Sequence, residues 1–101
     1  MAIQHTFQYD AVVIGGGSAG LQAALTLGRV HRRTLLLDAG HHRNDPARHM
    51  HNFLGHDGTP PAELRAAARR DLARYDTVTV RAAAVASVGV DGAGFRVVVG
   101  D

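Results

Sequence analysis

The sequence predicts an α/β fold of three parallel strands alternating with two helices, followed by an antiparallel β-hairpin. Two apolar runs, AVVI at residues 11–14 and TLLLD at residues 34–38, have the composition of strands buried on both faces of a parallel sheet. Between them, from Ser18 to Val30, apolar residues recur at helical spacing. The turn sequence VDGAG at residues 90–94 separates two further apolar runs, 83–88 and 95–99, and predicts the hairpin.

A second helix and a third strand are predicted between residues 59 and 80. Thr59 is the expected N-cap, Pro60 lies in the first turn, and Glu63 lies near the positive end of the helix dipole. The predicted apolar face of this helix consists of Leu64, Ala68, Leu72 and Tyr75. The other face is expected to be solvated and carries most of Arg65, Arg69, Arg70 and Arg74. Thr77–Val80 is the third strand. Right-handed crossovers give the strand order 3-2-1 with both helices on one face, which leaves the hairpin to cover the other.

Composition limits the classes of protein that this chain can represent. Its 101 residues, of which 46% are hydrophobic, predict one globular domain rather than a disordered chain. A net charge of +2 and few aromatic residues disfavour nucleic-acid binding, and the absence of cysteine excludes disulfides and thiolate metal ligands within the chain. The sequence shows neither a secretory signal nor a membrane span, so we expect a cytoplasmic protein.

The glycines that follow the first strand have the spacing Gly15-x-Gly17-x-x-Gly20 and open the first helix. Gly15 allows a tight turn, Gly17 lets a pyrophosphate approach the backbone, and Gly20 lets the helix pack close to the strand. The helix N-terminus offers free N–H groups to phosphate. Asp38 ends the second strand, where a carboxylate can accept hydrogen bonds from an adenosine ribose. Together these features predict a Rossmann-like dinucleotide site; the alternative is a glycine-rich turn with Asp38 as a capping residue.

The long polar segment from Ala39 to Gly58 is rich in histidine. A metal site is not expected, because neither Asp45 nor Asp57 completes a recognisable ligand spacing with these imidazoles. We expect solvated loop residues instead (His41, His42, His49, His51 and His56). A loop of this length is typical of a functional segment.

The stretches YDAVVIGGGSAGLQAALTLGR, LLLDAG and HHRNDPARHMHNFLGHDGTPPAEL resemble the N-terminal part of the FAD domain in thioredoxin reductase-like flavoproteins, within the pyridine nucleotide-disulfide oxidoreductase superfamily. The third stretch is similar to the flavin-contacting loop of that family, in particular of members akin to dithiol oxidases. The resemblance covers about Tyr9 to Val99. It implies a three-layer FAD-binding half-domain, and FAD as the cofactor.

The resemblance also implies where FAD would be contacted. It assigns the glycine turn to the pyrophosphate, Asp38 to the ribose, and two loop positions to the phosphates and the flavin side. An asparagine amide would reach the isoalloxazine edge, and one backbone position would meet the adenine. The implied cofactor-binding residues are Gly15, Gly17, Ser18, Ala19, Gly20, Asp38, Arg43, Asn44, Asn52 and Val85; no catalytic residue is assigned.

In that family the chain continues into an NADPH domain and then returns to complete the FAD site. Residues 1–101 are therefore expected to be the first part of an FAD-binding domain, inactive alone and prone to self-association. The parent would be an NAD(P)H-dependent oxidoreductase in which the flavin reduces a disulfide, quinone, ferredoxin or oxygen. A non-catalytic nucleotide-binding module and an NAD-binding dehydrogenase fragment stay open as alternatives. The residues do not identify the substrate.

Overall fold

The structure, a computed structural model, describes residues 6–40 and 60–100. Within them the chain forms two helices and five strands. In chain order these are β1 (Ala11–Ile14), α1 (Ser18–Arg29), β2 (Thr34–Asp38), α2 (Pro61–Leu72), β3 (Val78–Ala82), β4 (Val85–Asp91) and β5 (Gly94–Val99). The element order is the one that the sequence predicts.

Strands β1, β2 and β3 form a parallel sheet in that spatial order, with β2 in the centre. Val13 pairs with Leu36, and Leu36 pairs with Val80, so these three side chains share one face. The strand order 3-2-1 is therefore confirmed. Asp10 ties the start of β1 to the start of β2, because its carboxylate accepts the Arg33 N–H at 2.9 Å.

The core lies between the sheet and the two helices, which both pack on the Leu36 face. Leu21 and Ala24 of α1, Leu36 of β2 and Leu72 of α2 are buried together. Val13, Leu25, Ala68 and Val78 pack around them. The buried residues of α1 and α2 thus lie on the predicted apolar face of each helix. Their burial holds both helices over the centre of the sheet.

The hairpin does not cover the opposite face, and that expectation is wrong. Strands β4 and β5 form a two-stranded antiparallel sheet of their own. Most hairpin side chains are exposed, including Val90 at 80% and Phe95 at 77%. On the opposite face of the parallel sheet, Leu35 and Leu37 are buried and Ile14 is half exposed. Among the described strands β4 and β5 pair only with each other, so the hairpin side chains are not packed against the sheet.

Two predicted boundaries also change. The N-cap of α2 is Pro60 rather than Thr59, which lies outside the described residues. Strand β3 begins at Val78 and extends to Ala82, beyond the predicted end at Val80. Pairing of Arg81 and Ala82 with the end of β2 carries the strand further than its apolar run, because ladder hydrogen bonds do not require apolar side chains.

Candidate functional site

The glycine turn begins at the carboxyl end of β1, next to the central strand β2. Gly15 has a φ of +109°, a region that side-chain-bearing residues avoid, so glycine permits the tight exit from β1. Its N–H donates to the Leu37 carbonyl oxygen at 2.8 Å. This bond places the turn next to the last residue of β2.

Gly20 determines how closely α1 approaches that turn. A Cβ atom at this position would collide with the Gly15 carbonyl oxygen and would lie 3.4 Å from the Val13 side chain. The oxygen belongs to the backbone and has no rotamer by which to move away. Helix α1 can therefore start directly against β1 only because residue 20 has no side chain.

The N-terminus of α1 is open to a ligand along Gly17. Gly17 is the N-cap, with extended backbone and no side chain, and its carbonyl accepts the Leu21 N–H at 3.0 Å. A Cβ built on Gly17 meets no atom within 4 Å, so the space beside it is clear. Ser18 and Ala19 form the first turn, which contains no acidic residue. The first N–H groups and the positive end of the helix dipole suit an anion at this place.

Asp38 lies against the same turn. Its side chain is only 3% exposed, and a Cβ on Gly16 would collide with its carboxylate. Oδ1 accepts the Gly40 N–H at 2.9 Å. The Asp38 carbonyl accepts the Ala83 N–H at 3.1 Å, so both backbone and side chain are held. The fold thus brings the carboxylate and the glycine turn to one edge of the sheet.

A cleft opens beside Asp38 between the sheet edge, α2 and the base of the hairpin. Its volume is about 890 Å³. Arg69 of α2 reaches across and forms a hydrogen-bonded ion pair with Asp38 Oδ2. The lining residues are Asp38, Ala39, Gly40, Ala62, Arg65, Ala66, Arg69, Arg81, Ala82, Ala83, Ala84, Val99 and Gly100.

The structure brings together six of the ten predicted site residues, namely Gly15, Gly17, Ser18, Ala19, Gly20 and Asp38. Arg43, Asn44 and Asn52 lie outside the described residues. Val85 begins β4, is half-buried, and follows Ala84, whose carbonyl accepts the Gly100 N–H at 2.9 Å. Val85 is therefore next to the cleft rather than at the turn.

Sequence reasoning missed Gly16 and Arg69. Gly16 falls between the motif glycines and is buried under the Asp38 carboxylate. Arg69 was expected on a solvated face, and its side chain is indeed 46% exposed, but its ion pair with Asp38 was not predicted. The signal that the sequence did contain is a spacing: Arg65 and Arg69 are four residues apart on one side of α2, and Arg69 lies in its last turn.

The donor set matches a dinucleotide better than a metal ion. Open backbone N–H groups face one end of the site, and a buried carboxylate is next to them. Over the ranges 6–40 and 60–100 no group of three or more His, Asp or Glu side chains could hold a metal ion. Neither helix in those ranges is long and apolar enough to cross a membrane.

Comparison with known proteins gives the same cofactor class. Residues 10–84 match the family described as FAD binding domain. A thioredoxin reductase of Aspergillus oryzae (aclD) is 45% identical over 74 residues, which are 71% of this chain and 23% of that protein. Across the curated relatives it matches, the chain spans 17% to 24% of their length.

Solved structures agree with this assignment. An oxidoreductase from Agrobacterium tumefaciens superposes with a TM-score of 0.86 at 43% identity, over 92% of this chain and 32% of that one. Thioredoxin reductase from Lactococcus lactis superposes with a TM-score of 0.83 at 26% identity, over 93% and 31% respectively. The turn, the carboxylate and the matched residues fall in the same part of the chain, and the chain belongs to the FAD-binding domain family, with thioredoxin reductases among its relatives.

Proposed function

We propose that this chain binds the ADP half of FAD within a flavoprotein oxidoreductase of thioredoxin reductase type. The observation that carries the proposal is the contact between the Asp38 carboxylate and Gly16, inside the turn that starts α1. This contact makes the anion-binding helix end and the hydroxyl-binding carboxylate neighbours. Pyrophosphate and ribose are neighbours in the same way in an adenosine dinucleotide.

Each group of the ligand has a matching protein group. The pyrophosphate would lie at Gly17, Ser18 and Ala19, at the N-terminus of α1, which no side chain caps. The ribose hydroxyls would donate to Asp38, a charge-assisted bond of the stronger kind. The adenine would enter the cleft towards Ala84 and the backbone at Val85. Arg43, Asn44 and Asn52 stay predicted contacts that rest on the resemblance.

Bound FAD would supply hydride and electron transfer, while the chain binds and orients it. The thioredoxin reductases among the relatives support NADPH as the reductant of the flavin and a disulfide as its acceptor. A cytoplasmic location is part of the same proposal. The contribution of the described residues is to hold the nucleotide end of the cofactor in place.

Two substitutions in the complete gene product test the proposal. Gly17→Val fills the open space beside the N-cap, so it should block the pyrophosphate and give protein without flavin. Asp38→Ala should weaken FAD binding by about 1.5–3 kcal/mol, the usual contribution of a hydrogen bond to a charged group. Gly89→Val is the control, because its Cβ is also in open space, but in the hairpin.

The measurement is FAD fluorescence titration, together with the flavin absorbance of the purified protein. Stoichiometric FAD in Gly17→Val would contradict the pyrophosphate site. Binding of NAD with no flavin absorbance in the parent protein would favour a dehydrogenase. Nucleotide binding with no redox activity would favour a non-catalytic module.

Self-association is a second part of the proposal. Among the described strands, β1 pairs only with β2, and Ile14 on that edge strand is 53% exposed. An apolar strand edge with one neighbour is a template for another chain. Light scattering of the 101-residue chain at micromolar concentration should show dimers or larger species, and a clean monomer would contradict this part.

A further inference from the structure

The ion pair between Arg69 and Asp38 joins a half-exposed cation to a buried anion. The Arg69 side chain is 46% exposed, and that of Asp38 is 3% exposed. Arg69 bonds to Oδ2 of Asp38, and the Gly40 N–H bonds to Oδ1. The two carboxylate oxygens are therefore fixed by donors from two different segments, α2 and the residues that follow β2.

A buried carboxylate needs such a partner to stay ionised. Removal from water disfavours the charged form, and a guanidinium within bonding distance favours it. The ionised form is an acceptor at both oxygens, whereas the protonated form gives one oxygen over to an O–H donor. Ribose hydroxyls donate most strongly to the ionised form. Arg69 thus places a positive charge beside the buried Asp38 carboxylate.

The orientation of the carboxylate depends on the same contact. Gly16 lies directly against Asp38 on the side of the turn, so the carboxylate has little room to rotate there. Arg69 approaches from α2, on the side of the cleft. An ionised carboxylate has about four acceptor positions, and the donors of Arg69 and Gly40 use two of them.

We propose that Arg69 is a positioning residue for FAD: it holds the Asp38 carboxylate against the Gly15–Gly17 turn, ready to accept the ribose hydroxyls. The inference rests on the proposed function, because it takes Asp38 as the ribose acceptor. Arg69 acts through Asp38 and need not touch the cofactor. Among the described residues that line this cleft, the other charged ones are Arg65 of α2 and Arg81 of β3, both cationic.

A double-mutant cycle in the complete gene product separates positioning from direct contact. The variants are Arg69→Ala, Asp38→Ala, the double variant and Arg69→Lys, with Arg70→Ala as the matched control. Arg70 is the next residue of the same helix, carries the same charge and is exposed. The dissociation constant for FAD is measured by fluorescence titration, and a urea melt of each variant confirms that it is folded.

We expect Arg69→Ala and Asp38→Ala each to weaken FAD binding about tenfold or more, the fold-change that corresponds to loss of a hydrogen bond to a charged group. In the Asp38→Ala background, Arg69→Ala should raise the dissociation constant for FAD by no more than about threefold, since the effects of coupled residues do not add. Arg69→Lys should recover part of the affinity because it restores the charge. Arg70→Ala should bind FAD as the parent does.

The outcomes distinguish the two proposals. If Asp38→Ala leaves the FAD affinity unchanged, the ribose assignment itself fails. If Asp38→Ala weakens binding but Arg69→Ala leaves it unchanged or tightens it, only the positioning role is overturned. Multiplicative losses in the double variant would also overturn it, because Arg69 would then act independently of Asp38. If Arg69→Ala is unfolded, the same comparison is made with Arg69→Lys and Arg69→Gln.

Discussion

The parallel sheet with its helices and the C-terminal hairpin use the same kinds of residue in opposite ways. Leu36 in β2 and Leu72 in α2 are almost wholly buried, whereas Val90 and Phe95 in the hairpin are mostly exposed. The glycines of the two regions also differ in how closely they are packed. Gly16 and Gly20 leave no room for a Cβ atom, while Gly89 has open space around it. Close packing and the candidate site occur together, so the residues that position the cofactor site are also those that hold the fold.

The two regions should differ most in the stability lost when an apolar side chain is truncated to alanine. Leu36→Ala leaves a cavity under both helices and should lower the free energy of unfolding by about 2–5 kcal/mol. Val90→Ala removes an exposed side chain and should change it by less than about 0.5 kcal/mol. Urea unfolding of both variants measures the difference. Equal losses would show that the hairpin is packed in solution.

Glycine substitutions sharpen the same contrast. Gly20→Ala pushes a methyl group into the Gly15 carbonyl, so α1 must move away from the turn at a cost of about 1–3 kcal/mol. This result would reverse the ordinary helix preference, in which alanine is better than glycine by about 1 kcal/mol. Gly89→Ala in the hairpin is the control and should be close to neutral. A stabilised Gly20→Ala variant would mean that α1 starts further from β1.

The parallel region was predictable because its signals are local and agree with one another. The bounds of β1 and β2 follow from two apolar runs, the first ended by Gly15 and the second ending at Asp38. Crossover handedness then gives the strand order. The site was predictable to the extent that its residues belong to a spaced glycine motif.

The contacts that the sequence did not predict depend on how distant segments are placed in space, which hydrophobic periodicity does not reveal. The Arg69–Asp38 pair joins residues 31 positions apart, so it depends on the position of α2 along β2. Which arginine of α2 reaches the carboxylate is fixed by that position. The hairpin was predicted to cover the other face of the sheet because no other predicted element was left to do so, but elimination does not specify what a face packs against.

Gly16→Ala tests how closely the turn and the carboxylate are joined. The added methyl group would displace the Asp38 carboxylate rather than backbone, so the free energy of unfolding should fall by only about 1 kcal/mol. Affinity for FAD should fall together with it, because the displaced carboxylate leaves its place beside the turn. Fluorescence titration and urea unfolding of the same sample measure both. Unchanged FAD affinity would separate Asp38 from the nucleotide site.

The smallest effect is expected for the ion pair in the hairpin. Arg96 Nη2 lies 3.1 Å from Asp91 Oδ2, yet the two side chains are 69% and 57% exposed. An exposed pair of this kind contributes about 0.2–1 kcal/mol, since water screens the attraction and two long side chains lose freedom. Arg96→Ala should therefore lower the free energy of unfolding by no more than this.

Salt provides the decisive control for that pair. In about 1 M NaCl the Debye length is about 3 Å, so the difference between Arg96→Ala and the parent should vanish. The difference in free energy of unfolding between Arg69→Ala and the parent should persist in salt. Asp38 is buried, so dissolved ions do not compensate it for the guanidinium that this substitution removes. If both differences vanish in salt, the Arg69–Asp38 pair is solvated in the same way as the hairpin pair. If both persist, Arg96 stabilises the hairpin by packing its stem against the strand rather than by its charge.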